Sequence, residues 1–321
     1  MNRKVLLLIL LVVLVQLTVF TGCNPGAREV NVNVDGTDAA FSEENEDAAN
    51  AGDGNRGVVT ETVADVFSEP DIKSERITQA IFNQPVTILE EYENWFKVEV
   101  VDGNIGWIKS NFIDKDCSSI EPDKYKYKIV ITAKSKTVSS QAKGGITIKE
   151  AVMGTEFYSN YKEDDLYEVA LPGKLTGWIK GSGIIEIPVG GKILETSAED
   201  FVATLAKFKG TKYLYGGVSS WGIDSSGLTY ICSRINGINL PRDIDDQFYI
   251  GKKVSLSEIK EGDLIFFSAN KDSKDVSHVG VYTGDNQFIH ANKDKGYVMY
   301  SSLDSGNFAE RLLGIRRIFD K

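Results

Sequence analysis

The stretch that decides the reading runs Lys212-Tyr213-Leu214-Tyr215-Gly216-Gly217 and resumes at Gly222-Ile223-Asp224-Ser225-Ser226-Gly227-Leu228. From Leu228 the apolar residues recur at Ile231 and Ile235, the spacing of one helix face, and Asn236-Gly237 supplies a stop. Asp224 and Ser225 then sit at the helix N-terminus, where a short polar side chain can cap free amides and the helix dipole favours negative charge. A nucleophile placed there is activated, and a thiol would lose its proton most readily at such a position.

The chain has only two histidines, His278 and His290. Both fall in one predicted hairpin: His278 to Thr283, a Gly284-Asp285-Asn286 loop, then Gln287 to His290. With three residues in the loop, Gly280 faces His290 and His278 lies two positions away on the same face. Diagonal neighbours of this kind have Cα atoms within about 8 Å. Two imidazoles side by side suit a relay in which one acts as base and the other orients it. Satisfied core histidines and a zinc site are the competing readings. Two histidines in register beside a capping motif count against the first; the want of a third His or a nearby Cys counts against the second, since zinc needs three or four ligands. No metal or cofactor is expected.

Upstream, between Val58 and Pro188, short runs of Val, Ile, Tyr, Phe and Trp are broken by Gly, Asn and Asp, the pattern of short strands and turns. Trp95-Phe96-Lys97-Val98, Asp102-Gly103 and Gly106-Trp107-Ile108-Lys109 recur loosely as Leu166-Tyr167-Glu168-Val169, Pro172-Gly173 and Gly177-Trp178-Ile179-Lys180. Two related units are therefore expected. Ordinary barrel core is the simplest reading of Trp178, and a competing one for Trp107.

At the N-terminus a basic start, Met1-Asn2-Arg3-Lys4, leads into an apolar run from Val5 to Val19 that is shorter than the roughly 20 residues a spanning helix needs. Small residues Thr21 and Gly22 follow, so residues 1–22 read as an export signal rather than an anchor. Residues 23–57 are rich in Asn, Asp, Glu, Gly and Ala, with Phe41 the only aromatic, and read as an acidic flexible tether. The 321-residue chain is 42% hydrophobic and 26% charged, which suits two or three folded domains. Its net charge of -10 and lack of a basic stripe exclude a nucleic-acid partner. Three cysteines are too few for a disulfide framework. No protein partner is identifiable.

The series Tyr213, Tyr215, Gly216, Gly217; Asp224, Ser226, Gly227, Leu228; Leu240-Pro241-Arg242-Asp243 with Gln247; Gly262-Asp263-Leu264; Ser277-His278-Val279-Gly280; and His290 resembles the NlpC/P60 family of papain-like cell-wall peptidases. The repeated units resemble the bacterial SH3 (SH3b) domain. Together they imply an α+β chain: a papain-like NlpC/P60 domain at 195–321 preceded by two small SH3-like β-barrels at 58–114 and 125–188. The resemblance places Ser225 where the family has its cysteine nucleophile, His278 as base, His290 as the group that orients it, and Tyr213 beside the nucleophile. The order of units is similar to γ-D-glutamyl-L-diamino acid endopeptidases, which trim peptidoglycan stem peptides bearing a free N-terminal L-alanine and whose first SH3b unit narrows the cleft. On that likeness Asp224 and Asp243 would bind the substrate ammonium, Ser226 would line the same site and Trp107 would close the pocket.

Phe20-Thr21-Gly22-Cys23 resembles a bacterial lipobox, which implies a lipidated Cys23 holding the exported protein on the outer face of the cytoplasmic membrane. Two functions stay open: a stem-peptide hydrolase working with Ser225, and a catalytically inactive or trapped (Cys-to-Ser) form that binds cell-wall peptides. An alcohol is far less acidic than a thiol, and a site tuned for a thiolate does not automatically deprotonate it. Cys232 cannot replace the missing thiol, because seven residues of helix put it roughly 10 Å away.

Overall fold

The computed structural model describes residues 55–319. The export signal, Cys23 and all but the end of the tether lie outside the described residues. Among those described, no helix is long and apolar enough to cross a membrane.

The first unit is a seven-stranded antiparallel sheet of order β3-β2-β6-β5-β4-β1-β7. Its strands are β1 (Arg56–Val59), β2 (Val63–Phe67), β3 (Arg76–Ile81), β4 (Pro85–Tyr92), β5 (Trp95–Val100), β6 (Ile105–Lys109) and β7 (Ile113–Asp114). The second unit builds two sheets, β10-β9-β14-β13-β12 and β11-β8-β15. These use β8 (Tyr127–Ile131), β9 (Ser135–Ser139), β10 (Thr147–Val152), β11 (Glu156–Ser159), β12 (Tyr161–Glu163), β13 (Leu166–Leu171), β14 (Leu175–Lys180) and β15 (Ile184–Pro188).

The repeated Gly-Trp-Ile-Lys strand does the same work in both units. Side chains alternate across a strand, so either Gly and Ile or Trp and Lys face inward, and burying an unpaired lysine is costly. Ile108 accordingly joins Val66 and Val98 in one core, and Ile179 joins Phe157 and Val169 in the other. The tryptophans take the opposite face. Trp178, expected in the barrel core, is half-buried outside it, edge-on to Tyr161 at 5.8 Å.

The third unit opens with α1 (Ala198–Ala206), then β16 (Val218–Ser219), β17 (Gly222–Ile223), α2 (Ser225–Ile235) and α3 (Ile244–Gln247). It continues with β18 (Lys252–Val254), β19 (Leu264–Ser268), β20 (Val276–Gly284), β21 (Gln287–Asn292), β22 (Tyr297–Ser302), α4 (Phe308–Arg311) and β23 (Leu312–Arg317). The six long strands pair antiparallel in the order β18-β23-β19-β20-β21-β22. Helix α2 lies against β20 and β21, with Leu228, Ile231 and Ile235 buried beside Phe201 and Leu205 of α1 and Phe266 of β19. Each such side chain contributes about 1.5–3 kcal/mol by leaving water.

That core runs on into the other units through Ile81, Val130, Val152 and Met153. At Gly154, between β10 and β11, φ is +87° and an added Cβ would come 2.4 Å from Cδ1 of Ile231. Only glycine fits both the backbone and the close approach to α2.

Candidate active site

Helix α2 begins where the sequence places it. Asp224 is the N-cap and its Oδ1 accepts the amide of Gly227 at 2.7 Å, while Gly237, with φ +84°, ends the element beyond Asn236. Ser225 is the first helical residue and is buried. The Gly216-Gly217 pair serves the same cap, for the Gly216 amide donates to Asp224 Oδ2 at 2.8 Å.

Asp224 and Ser226, expected to bind substrate, also carry structural bonds. Asp224 Oδ2 is also bonded to Arg242 Nη2 at 2.7 Å, and its Oδ1 to the Ser226 hydroxyl at 3.4 Å. Arg242 Nη1 donates to Ser226 Oγ at 2.8 Å. Three close bonds and the longer approach of Ser226 hold the carboxylate, which is 7% exposed. Asp224, Ser226 and Arg242 form a buried bracket that fixes the start of α2. Gln247, fully buried, extends it by donating to the carbonyls of Ser226 and Pro241 and accepting from Thr229.

The two histidines meet as the register count requires, by a slightly different route. The loop has two residues, Asp285 and Asn286, both with positive φ (48° and 57°) as in a type I′ turn, and a bulge between Tyr282 and Gly284 restores the offset. Val281 therefore pairs with Ile289, and one step further Gly280 stands opposite His290. His278 Nε2 lies 2.7 Å from His290 Nδ1, and His290 Nε2 lies 2.9 Å from Ser301 Oγ on β22. The second ring nitrogen of His278, Nδ1, carries no hydrogen bond within the described residues. Two tautomer sets satisfy this chain; in the one that leaves His278 a base, its Nε2–H donates to His290, His290 Nε2–H donates to Ser301, and Nδ1 of His278 is unprotonated.

Burial lowers the basicity of both rings: His278 is held well below the usual imidazole value by desolvation, His290 and Arg311, and His290 is brought to about 4 by desolvation and Arg311. Both are neutral at pH 7. His278 also stacks on Phe267 at 6.0 Å, which fixes its plane.

Tyr213 is half-buried near Asp224; burial first, then that carboxylate, pushes its phenol up to about 12. Asp243 precedes α3, and desolvation raises its pKa while Arg242 and a hydrogen bond from Asn104 of the first unit lower it. The ring neighbours of Trp107, expected to close the pocket, are Phe67, Trp95, Tyr92 and Lys97 of the first unit.

The first unit reaches the site through polar groups that the sequence did not reveal. Arg76 and Gln79 on β3 both bind Asp65 of β2, at 2.7 and 2.8 Å. Arg76 Nη1 then donates to the Tyr215 carbonyl at 3.2 Å, and Gln79 Oε1 accepts the Val218 amide at 3.1 Å. Those bonds hold both sides of Gly216, whose φ of +73° and 2.9 Å Cβ approach to the Arg76 carbonyl leave room for nothing larger. The free cysteines stand apart: Cys232 is wholly buried and its thiol is pushed well above the usual value by desolvation, so it is no nucleophile. Among the described residues no group of three or more His, Cys, Asp or Glu could hold a metal ion.

A model of the NlpC/P60 family matches residues 210–317, the span that holds α2 and the histidine hairpin. The probable endopeptidase NlpC of Escherichia coli K12 is 39% identical over 115 residues, covering 36% of this chain and 73% of that protein. The chain belongs to the NlpC/P60 family. It is thus a member of a hydrolase family whose cysteine-peptidase character it shares by resemblance. A bacterial SH3 domain model matches residues 62–114 of the first unit. The γ-D-glutamyl-L-lysine dipeptidyl-peptidase of Bacillus subtilis 168 is 29% identical over 265 residues, 76% of this chain and 81% of that enzyme. A crystal structure of an NlpC/P60 family protein from Bacillus cereus ATCC 10987 superposes with a TM-score of 0.74 at 21% identity, covering 82% of this chain and 99% of the other, and shares the fold.

Proposed function

We propose that this NlpC/P60 protein is a peptidoglycan stem-peptide hydrolase that cuts after D-Glu in L-Ala-γ-D-Glu-diamino acid peptides, with Ser225 as nucleophile. The observation that carries the reading is the Ser301–His290–His278 chain, which leaves one neutral ring nitrogen of His278 free on the strand against which α2 packs. A relative covering most of the chain, named for γ-D-glutamyl-L-lysine peptides, supports the substrate class.

In this reading Ser225 Oγ attacks the γ-carbonyl and its proton passes to His278 Nδ1. The amides of Ser225 and Ser226 have no intrahelical partner and receive the oxyanion at the positive end of α2. Collapse expels the diamino acid amine, which takes the proton from His278, and water then releases the acyl group. A neutral base suits a hydroxyl, whose proton leaves only during attack, whereas a thiol is stored as thiolate beside imidazolium. Asp224, together with Asp243 beside Asn104, is assigned to the free N-terminal ammonium. The second unit is assigned as another SH3b domain on its repeated inward Gly and Ile.

L-Ala-γ-D-Glu-L-Lys should yield L-Ala-D-Glu and lysine by mass spectrometry, at a rate that His278→Ala lowers about 10²–10⁴-fold. Equal cleavage of the N-acetylated peptide, or a cut elsewhere, would contradict the assignment. The lipid anchor on Cys23 belongs to the same proposal; palmitate labelling should tag the protein and be lost in Cys23→Ala.

A further inference from the structure

Where the first unit, the second unit and α2 meet, the chain encloses a cavity of about 220 Å³. At about 30 Å³ per water this is the space of roughly seven waters, enough for a small organic molecule. Arg56 and Gln84 line it from the first unit, Glu156 and Tyr158 from the second, Tyr230 and Arg234 from α2. Ile81, Phe82, Val101 and Ile231 give it an apolar wall.

Most of the polar groups here are already paired. Glu156 lies between Lys128 at 2.9 Å and Arg234 at 3.2 Å, and Arg234 also donates to the Tyr230 hydroxyl at 3.3 Å. Two are left over. The Arg56 guanidinium makes no hydrogen bond or ion pair among the described residues, and the Tyr158 hydroxyl makes no hydrogen bond there either. Both side chains are half-buried and line this one cavity. The lining cations Arg56 and Arg234 balance Glu156 and Asp102 in number, and with Glu156 paired to Arg234 the unpaired cation is Arg56.

A guanidinium and a phenol converging on a largely apolar chamber are the donors a carboxylate accepts in parallel, while the apolar wall rewards a hydrocarbon body. We propose that this cavity is a binding site for a small monocarboxylic acid, its carboxylate on Arg56 and Tyr158 and its apolar part against Ile81, Phe82 and Ile231. The site is separate from Ser225 and the histidines and does not depend on the reaction assigned to them. Because all three units wall it, a bound acid ties the two β units to α2.

The test uses the full chain with 4-fluorobenzoate as probe, followed by fluorine NMR, and 4-fluorobenzamide as the neutral isostere. The acid should bind saturably and the amide at least tenfold more weakly. Arg56→Gln should weaken the acid roughly ten- to a hundredfold, the range of a lost charge-assisted hydrogen bond, and Tyr158→Phe severalfold. Both variants should keep the parent's melting temperature without ligand and its peptide hydrolysis, since the Tyr158→Phe ring still packs on Tyr125 and neither polar end holds another group among the described residues. Acid and amide binding alike, acid binding that survives Arg56→Gln, or no saturable binding up to about 10 mM would overturn the site. Displacement of the acid by equimolar phosphate would also overturn it, in favour of a general anion sink.

Discussion

Replacing Arg242 by glutamine removes the cation of a pair that water cannot reach. Arg242 is 3% exposed, Asp224 is 7% exposed, and their 2.7 Å bond is joined by the 2.8 Å bond to Ser226. Breaking a buried pair from one side costs about 3–5 kcal/mol, because the remaining charge stays behind uncompensated, whereas an exposed pair is worth about 1 kcal/mol or less. The amides of Gly216 and Gly227 still hold Asp224, so the lower end, about 3 kcal/mol, is expected. At about 2–4 °C per kcal/mol in a domain of 150–250 residues, the melting temperature should fall by roughly 6–12 °C. Urea unfolding followed by circular dichroism, with Arg242→Gln, Asp224→Asn and the double variant, measures the coupling. A loss under about 1 kcal/mol for Arg242→Gln, or additive single effects, would refute the bracket as a buried charge pair.

Acid should weaken the third unit selectively. The unfolded imidazoles take up protons near 6.5 while folded His290 does so only near 4 and His278 also far below its usual value, so the unfolded state binds more protons and stability falls as pH drops from 6.5 toward 4. For His290 alone the loss amounts to about 3 kcal/mol, and His290→Gln should flatten that slope in pH-dependent urea melts. Gln79→Met deletes the tie between β3 and the Val218 amide; kcat on the stem peptide should drop about tenfold, with KM changed less than twofold, and Gln79→Asn, which keeps both an amide acceptor and the donor to Asp65, should recover part of it. Equal loss in both variants would reduce that contact to packing.

The parts legible in the sequence are those whose causes are local. A cap, an apolar period and a glycine stop fix α2 within a dozen residues, and strand alternation puts the two histidines on one face even though the loop was counted one residue too long. The Gly-Trp-Ile-Lys repeats mark the strands, but Trp178 falls outside the barrel core expected for it because Gly and Ile, not Trp, take the inward face. Ser301 carried no motif, yet it closes the histidine chain from a neighbouring strand. Arg242 reaches Asp224 from 18 residues on, and Gln79 meets Val218 across 139 residues, a distance over which pattern carries no information. Long-range polar pairing is what the chain decides only when folded.

The central claim, that Ser225 occupies a complete hydrolytic site, is tested most directly by kcat/KM of Ser225→Cys relative to the parent on L-Ala-γ-D-Glu-L-Lys. The bracket around Asp224 and the Ser301–His290–His278 chain are present in both, so the nucleophile is the one side chain that changes. A rise of at least about a hundredfold is predicted, close to 3 kcal/mol of barrier. A folded Ser225→Cys protein that binds the peptide as the parent does and leaves it uncut would contradict the account.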